Sequence, residues 1–141
     1  MDRLELVKRV RVHVNDAQNI LFTHQEIVDF INEGIDRIKQ LIDELSGAKH
    51  LLKDTDVPKY LPEPFHHLLS VYASARVSAK DQRAYEAATF MNEFETKLDR
   101  LKYKIEVGEI VILDEWGDPI NPHIEEYVKN RYFYPIRKEE E

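Results

Sequence analysis

The sequence predicts a mainly α protein with a four-helix core, a short β segment and an extended C-terminal arm. Apolar residues recur every three or four positions in four separate segments of the first 107 residues. Only 4 of the 141 residues are glycine, which disfavours a turn-rich β protein. The periodic pattern stops at Gly108, so we divide the chain into a helical core over 1–107 and a C-terminal part over 108–141.

Composition limits the classes of function. The chain has 20 basic and 27 acidic residues, and its net charge of −7 argues against a protein that coats DNA or an anionic membrane. It has no cysteine, which excludes disulfides, cysteine-based zinc fingers and thiol catalysis. No apolar run approaches 18 residues, and the charged start Met1-Asp2-Arg3 lacks a secretory signal, so we expect neither a membrane span nor export.

The predicted first helix covers about 2–14, and Val12 interrupts its apolar stripe. That stripe consists of Leu4, Val7, Val10 and Val14. We expect a loop at 15–19, because Asn and Asp side chains bond their own backbone and favour turns.

The predicted second helix has the clearest start in the chain. Thr23 and Glu26 have the spacing of a capping box, in which each side chain accepts a hydrogen bond from the other residue's backbone N–H. Phe22 and Ile27 flank this cap at the spacing of a hydrophobic staple. A wide apolar stripe follows and comprises Ile27, Phe30, Ile31, Ile35, Ile38, Leu41, Ile42 and Leu45.

Two glycines bear on the extent and packing of this second helix. Gly34 lies within the apolar stripe, where the missing side chain permits close approach by another backbone. Ser46-Gly47 is expected to end the helix, with glycine as its C-terminal cap. Residues 48–63 contain two prolines and no periodic pattern, which predicts a long irregular connection.

The third helix is predicted over about 64–79, with Pro64 as its first residue because an N–H is not needed there. Ser70, Ser74 and Ser78 form a row on one face of this helix. We interpret that row as a small-residue surface that packs against another subunit, rather than as the site of a nucleophile.

The fourth and longest helix is predicted over about 81–107, with Gly108 as its stop. Seven apolar residues step by three or four positions and approach a heptad seam. They are Tyr85, Ala88, Met91, Phe94, Leu98, Leu101 and Ile105.

A short β segment is expected after this helix. Ile110, Val111, Ile112 and Leu113 form an apolar, largely β-branched run that fits a strand of about five residues. Because the helical core offers no second long strand, 108–116 is expected to pair with a copy of itself or with a partner's sheet. The alternative is an extended arm that lies on the helical core.

The C-terminal arm carries the aromatic and arginine side chains that anchor protein interfaces. The candidate partner-binding residues are Trp116, Tyr127, Arg131, Tyr132, Phe133, Tyr134 and Arg137. Alternating basic and aromatic residues also suit single-stranded nucleic acid, but the adjacent Glu139–Glu141 and the acidic chain disfavour it. A tail folded back on its own core is the remaining alternative.

The sequence gives little support to catalysis. Glu63 and His66 have the Glu-x-x-His spacing of di-metal helical bundles, but those sites need two such motifs and two further carboxylates. Four widely separated glycines do not make a phosphate-binding loop. We therefore expect no enzymatic activity, no metal and no cofactor.

Three stretches in order resemble the head-to-tail adaptor (connector) proteins of tailed bacteriophages, and the resemblance spans about residues 4–108. The stretches are Leu6–Arg11 with Asn15-Asp16, then Phe22–Ile35, then Pro64–Arg76 with Asp81–Ala88 and a long helix that contains Phe94-Glu95. Their order and spacing are more specific than any one of them, because capped amphipathic helices are common.

The resemblance implies a structural subunit without catalysis, in a ring of about twelve copies at the virion neck. Its partners would be other copies of itself, the portal protein and a downstream stopper or tail protein, after synthesis in the host cytoplasm. DNA would be passing cargo, which an acidic channel wall repels rather than traps. The alternative is a helical, homo-oligomeric binding or regulatory module without catalysis.

Overall fold

A computed structural model describes residues 1–16 and 22–113 of the chain. Their α-helices are α1 (Arg3–His13), α2 (His24–Leu41), α3 (His67–Lys80) and α4 (Ala84–Glu106), and short 3₁₀ turns cover Asp43–Leu45 and Glu63–Phe65. The predicted mainly α class is confirmed. The described residues contain no strand, and the C-terminal arm lies outside them.

The central element is α3, which contacts α1, α2 and α4. Its buried residues are Leu68, Leu69, Ser70, Val71, Tyr72, Ala73, Ser74, Ala75, Val77 and Ser78. Small side chains on several faces let three helices approach this one closely, and a central position buries nearly its whole circumference.

This central position corrects the interpretation of the serine row. Ser70, Ser74 and Ser78 are each 0% exposed inside a single chain. The small-residue surface therefore packs against helices of its own subunit, and these serines do not face another copy. The physical reason is that small hydroxyl side chains are tolerated in a core when their oxygens bond the preceding turn, as Ser70 does with the carbonyl of His67 at 2.8 Å.

The first helix begins at a capping box formed by Asp2 and Glu5, which was not predicted. Asp2 accepts from the backbone N–H of Glu5 at 2.9 Å, and Glu5 accepts from the backbone N–H of Asp2 at 3.3 Å. The helix ends at His13, one residue before the expected end. Val12, which interrupts the apolar stripe, is 68% exposed.

The second helix begins as predicted. Thr23 Oγ1 accepts from the backbone N–H of Glu26 at 3.1 Å, and Glu26 Oε1 accepts from the backbone N–H of Thr23 at 3.1 Å. Phe22 and Ile27 on either side of the cap are both buried in the core. Gly34 packs against a side chain rather than a backbone, because an added Cβ would lie 3.1 Å from Cδ2 of Tyr72.

The expected end of this helix at Ser46-Gly47 is wrong. The helix ends at Leu41, because Ile42 adopts an extended conformation with φ −128° and ψ 107°. The 3₁₀ turn that follows lets both Ile42 and Leu45 reach the core, where each is 1% exposed. In a continuous helix, the helical geometry would fix the directions of the Ile42 and Leu45 side chains.

The fourth helix buries only the later part of its seam. Phe94, Leu98, Leu101 and Ile105 are buried in the core. Tyr85 is 81% exposed, so the first turns of α4 present side chains of the seam to solvent.

Candidate functional site

The contact between His13 and Ser74 joins two helices of the fold. His13 Nδ1 lies 3.1 Å from Ser74 Oγ, and this hydroxyl donates to the carbonyl of Ser70 at 2.7 Å. Since the hydroxyl proton is already used, the imidazole donates to the serine oxygen, which is the reverse of a nucleophile activated by a base. The pair therefore joins α1 to α3. This contact could not be predicted from a local pattern, because 61 positions separate the two residues.

The Glu-x-x-His motif does not form a metal site. Nε2 of His66 lies 2.8 Å from the carbonyl of Leu61, and its Nδ1 lies 3.0 Å from the amino group of Met1. Both ring nitrogens therefore have protein partners, and Glu63 lies in the 3₁₀ turn before α3. Across residues 1–16 and 22–113, no three His, Asp or Glu side chains are grouped as metal ligands.

The predicted β segment lies partly within the described residues. The chain leaves α4 at Gly108, whose φ of 85° is a conformation that glycine adopts without strain. Ile112 is 3% exposed and belongs to the core, whereas Val111 and Leu113 are 41% and 48% exposed. This alternation is that of an extended chain with one side on the core. The proposed pairing with another copy stays a prediction.

The candidate partner-binding residues of the arm lie outside the described residues. They are Trp116, Tyr127, Arg131, Tyr132, Phe133, Tyr134 and Arg137.

The connection between α2 and α3 is irregular, as predicted, and is tied to α1 by many hydrogen bonds. Arg3 donates from Nε and Nη2 to Asp54 at 3.0 and 2.8 Å, and from Nη1 to the carbonyl of Leu51 at 3.1 Å. His24 Nε2 lies 3.0 Å from the same Asp54 carboxylate. From α2, Asn32 Oδ1 accepts from the backbone N–H of Leu51 at 2.8 Å. These contacts give the connection one defined shape.

The two carboxylates of this connection accept hydrogen bonds from other groups of the chain. The hydrogen bonds from Arg3, and then the contact with His24, hold the pKa of Asp54 below its ordinary value. Backbone N–H groups of Lys53 and Leu52 do the same for the pKa of Asp56. Both groups therefore remain ionised at neutral pH, and both stay partly exposed to solvent.

The outer side of the connection carries a surface that we name the lysine-rimmed loop, residues 49–59. Leu52 and Val57 are 77% and 49% exposed and line a groove of about 240 Å³. Lys49, Lys53 and Lys59 are exposed beside them, and within the described residues none of the three forms an ion pair. This surface was not predicted, although aliphatic residues that follow no helical or strand period and stand beside lysines were a usable signal in the sequence.

A second groove of about 600 Å³ lies between α1 and the start of α2. Leu4, Val12, Phe22 and His24 are among the residues that line it. Arg11 contributes its stem to this groove, while its guanidinium bonds Asp16 at 2.9 Å.

None of the helices in the described part of the chain combines the length and the apolar character that crossing a membrane requires. No protein-family model, curated protein or solved structure matches the chain.

Proposed function

We propose that this chain is a structural head-to-tail adaptor of a tailed phage or prophage. In this role about twelve copies form a ring that joins the portal to the next neck or tail protein and extends the DNA channel. The protein has no catalytic role in this proposal, and its partners are copies of itself, the portal and the downstream protein.

The observation that carries the proposal is the placement of exposed apolar side chains on two separate parts of the helical core. Leu52 and Val57 lie on the connection between α2 and α3, and Val111 and Leu113 follow α4. A ring built from one kind of subunit needs two different surfaces that fit each other, because its contacts are heterologous. A subunit with two such surfaces suits that requirement.

The order of the elements supports the same proposal. The stretches that resemble phage adaptors fall on α1, on the capped α2 and on α3 followed by the long α4. Two histidines that could have carried chemistry are engaged with other groups of the chain, His13 with Ser74 and His66 with Leu61 and Met1. The arrangement of the described residues therefore favours a protein whose work is done by its surfaces.

The charge of the chain suits a channel through which DNA moves. Each copy carries a formal net charge of −7. A ring of such subunits would repel the phosphate backbone and keep the passing genome from binding to the wall.

Co-sedimentation with the candidate portal ring tests this proposal. The full chain is mixed with purified portal rings and spun through a sucrose cushion, with a helical protein of similar size and charge as the control. We expect the chain to pellet with the portal in a fixed ratio while the control stays in the supernatant. A chain that stays in the supernatant as a small oligomer would favour a helical binding or regulatory module instead.

A further inference from the structure

The negative charge of the chain is concentrated in one segment. Between Lys104 and Lys129 the sequence contains seven carboxylates and no lysine or arginine. The carboxylates are Glu106, Glu109, Asp114, Glu115, Asp118, Glu125 and Glu126. They account for the whole net charge of −7, so the rest of the chain is neutral overall.

Exposed aliphatic side chains lie within the same acidic segment. Val111 and Leu113 are directed away from the core, while Ile112 between them anchors the backbone on it. The described end of the chain thus presents two aliphatic side chains with carboxylates on both sides in sequence, at Glu109 and Asp114.

The lysine-rimmed loop has the complementary chemistry. Leu52 and Val57 offer two exposed aliphatic side chains. The neighbouring carboxylates Asp54 and Asp56 are partly exposed but accept hydrogen bonds from Arg3 and from the backbone N–H of Leu52, whereas the three lysines form no ion pair within the described residues. Because contacts with α1 and α2 fix the loop's shape, little conformational entropy would be lost when a partner docks there.

We propose that the segment 106–118 of a second copy docks on the lysine-rimmed loop. Val111 and Leu113 of that copy cover Leu52 and Val57, and the acidic residues around them face the lysines. Opposite charges around a small apolar centre set the register of a contact and speed its formation. This inference rests on the proposed function, since it identifies the contact that repeats around the ring.

The proposed contact joins two different surfaces, so it propagates from copy to copy. Such a heterologous contact closes into a ring when its rotation divides a full turn, and otherwise gives an open filament. It also accounts for the exposure of these four side chains in a single copy. In an isolated chain, both pairs of aliphatic side chains stay exposed unless segment 106–118 reaches the lysine-rimmed loop of the same chain.

Cross-linking between cysteine variants tests the contact directly, because the natural chain contains no cysteine. Leu52→Cys and Leu113→Cys are prepared separately, mixed and treated with a short bis-maleimide, with and without portal rings. We expect a strong Leu52–Leu113 cross-linked dimer from the mixture and little from either variant alone. Val12→Cys, at an equally exposed position on α1, replaces Leu52→Cys in the control mixture and should give little product.

A charge exchange tests the same contact without cross-linking. Lys49→Glu, Lys53→Glu and Lys59→Glu are combined in one chain, and Asp114→Lys, Glu115→Lys and Asp118→Lys in another. Each triple variant should weaken self-association measured by sedimentation by about tenfold or more, and a chain that carries both triples should recover it. Lys102→Glu, on the exposed face of α4, is the matched control and should leave association unchanged.

The outcomes separate this inference from the proposed function. A chain that assembles on the portal but gives no preference for the Leu52–Leu113 cross-link overturns the docking contact and leaves the adaptor proposal standing. A chain that neither assembles nor cross-links overturns both. The triple lysine variant could lose self-association while the chain that carries both triples fails to recover it. That result would overturn the contact with segment 106–118 and assign the lysine-rimmed loop to another acidic partner.

Discussion

At the residue scale, a buried ion pair holds the two ends of the α1–α2 connection together. Arg11 Nη1 donates to Asp16 Oδ2 at 2.9 Å and to the carbonyl of Phe22 at 3.0 Å. The same carboxylate oxygen accepts from the backbone N–H of Phe22 at 3.1 Å. Since both charged side chains are at most 10% exposed, each needs the other to balance its desolvation.

Arg11→Met should therefore be strongly destabilising. The substitution keeps much of the apolar stem but leaves the Asp16 carboxylate without its guanidinium, which costs on the order of 3–5 kcal/mol in buried pairs. Urea unfolding followed by circular dichroism measures the loss. Lys97→Met, which breaks an exposed pair with Glu93, is the control and should change stability by less than about 1 kcal/mol. Equal effects of the two substitutions would contradict the buried-pair interpretation.

Gly34 gives a second prediction at this scale. Gly34→Ala would gain about 1 kcal/mol of helix propensity on an open helix surface. Here the new Cβ lies 3.1 Å from Tyr72, whose ring packs edge-on against Phe94 at a centroid distance of 5.0 Å and has little room to move. We expect a net loss of stability in urea unfolding, and recovery when Tyr72→Leu is added. A more stable Gly34→Ala variant would show that the ring moves freely.

At the scale of the element, the start of α2 was predictable from the sequence and its end was not. The start of α2 depends on Thr23 and Glu26, which are local in sequence and satisfy each other. Its end depends on Ile42 and Leu45, which leave the helix because the core offers them better burial. That core is made by distant residues, so Ser46-Gly47 was a misleading local signal.

Thr23→Ala should cost about 1 kcal/mol of unfolding free energy, because the substitution leaves the backbone N–H of Glu26 without its acceptor. Chemical denaturation measures the shift. Thr89→Ala is the matched control, since the Thr89 hydroxyl bonds the carbonyl of Tyr85 on an exposed helix surface and caps nothing. An unchanged midpoint for Thr23→Ala would remove the capping box as a determinant of α2.

Dependence on distant residues also explains why the burial of the serine row of α3 and of the seam of α4 was not predicted. A row of serines has the same pattern whether it faces solvent, a second subunit or the core, and only the three helices around α3 decide between these. The seam of α4 extends evenly from Tyr85 to Ile105 in the sequence, yet its first two residues, Tyr85 and Ala88, are exposed. The lysine-rimmed loop was missed for a related reason, because its shape depends on Arg3 and Asn32 from other elements.

At the scale of the whole molecule, histidines between helices link stability to pH. Burial lowers the pKa of His13 and His67, and the charge of Lys97 lowers that of His67 further. Nε2 of His67 is buried without a hydrogen-bond partner, so a proton there would lack an acceptor. The unfolded chain then binds more protons than the folded one as the pH falls below about 6.5.

We therefore expect the melting temperature to fall as the pH is lowered from about 7 towards 5, well above the range in which the low-pKa carboxylates Asp54 and Asp56 titrate. His67→Gln should reduce this slope, because the group that titrates in the unfolded chain is removed. Identical slopes in the natural chain and in His67→Gln would place the pH dependence elsewhere.

Truncation after Pro119 separates the helical core from the proposed attachment arm. The last helix of the described residues ends at Glu106, and the buried Ile112 is retained in the shortened chain. We expect nearly unchanged helical circular dichroism and melting, together with loss of binding to the portal. A large fall in melting temperature would show that the arm is part of the core.

Electron microscopy of the chain sedimented with portal rings tests the proposed ring on a phage portal. The full chain and candidate portal rings are mixed, pelleted and imaged as single particles. We expect a second ring layer on one end of the portal, coaxial with its channel and of about twelve copies. Portal rings without an added layer, with the chain left in solution, would contradict it.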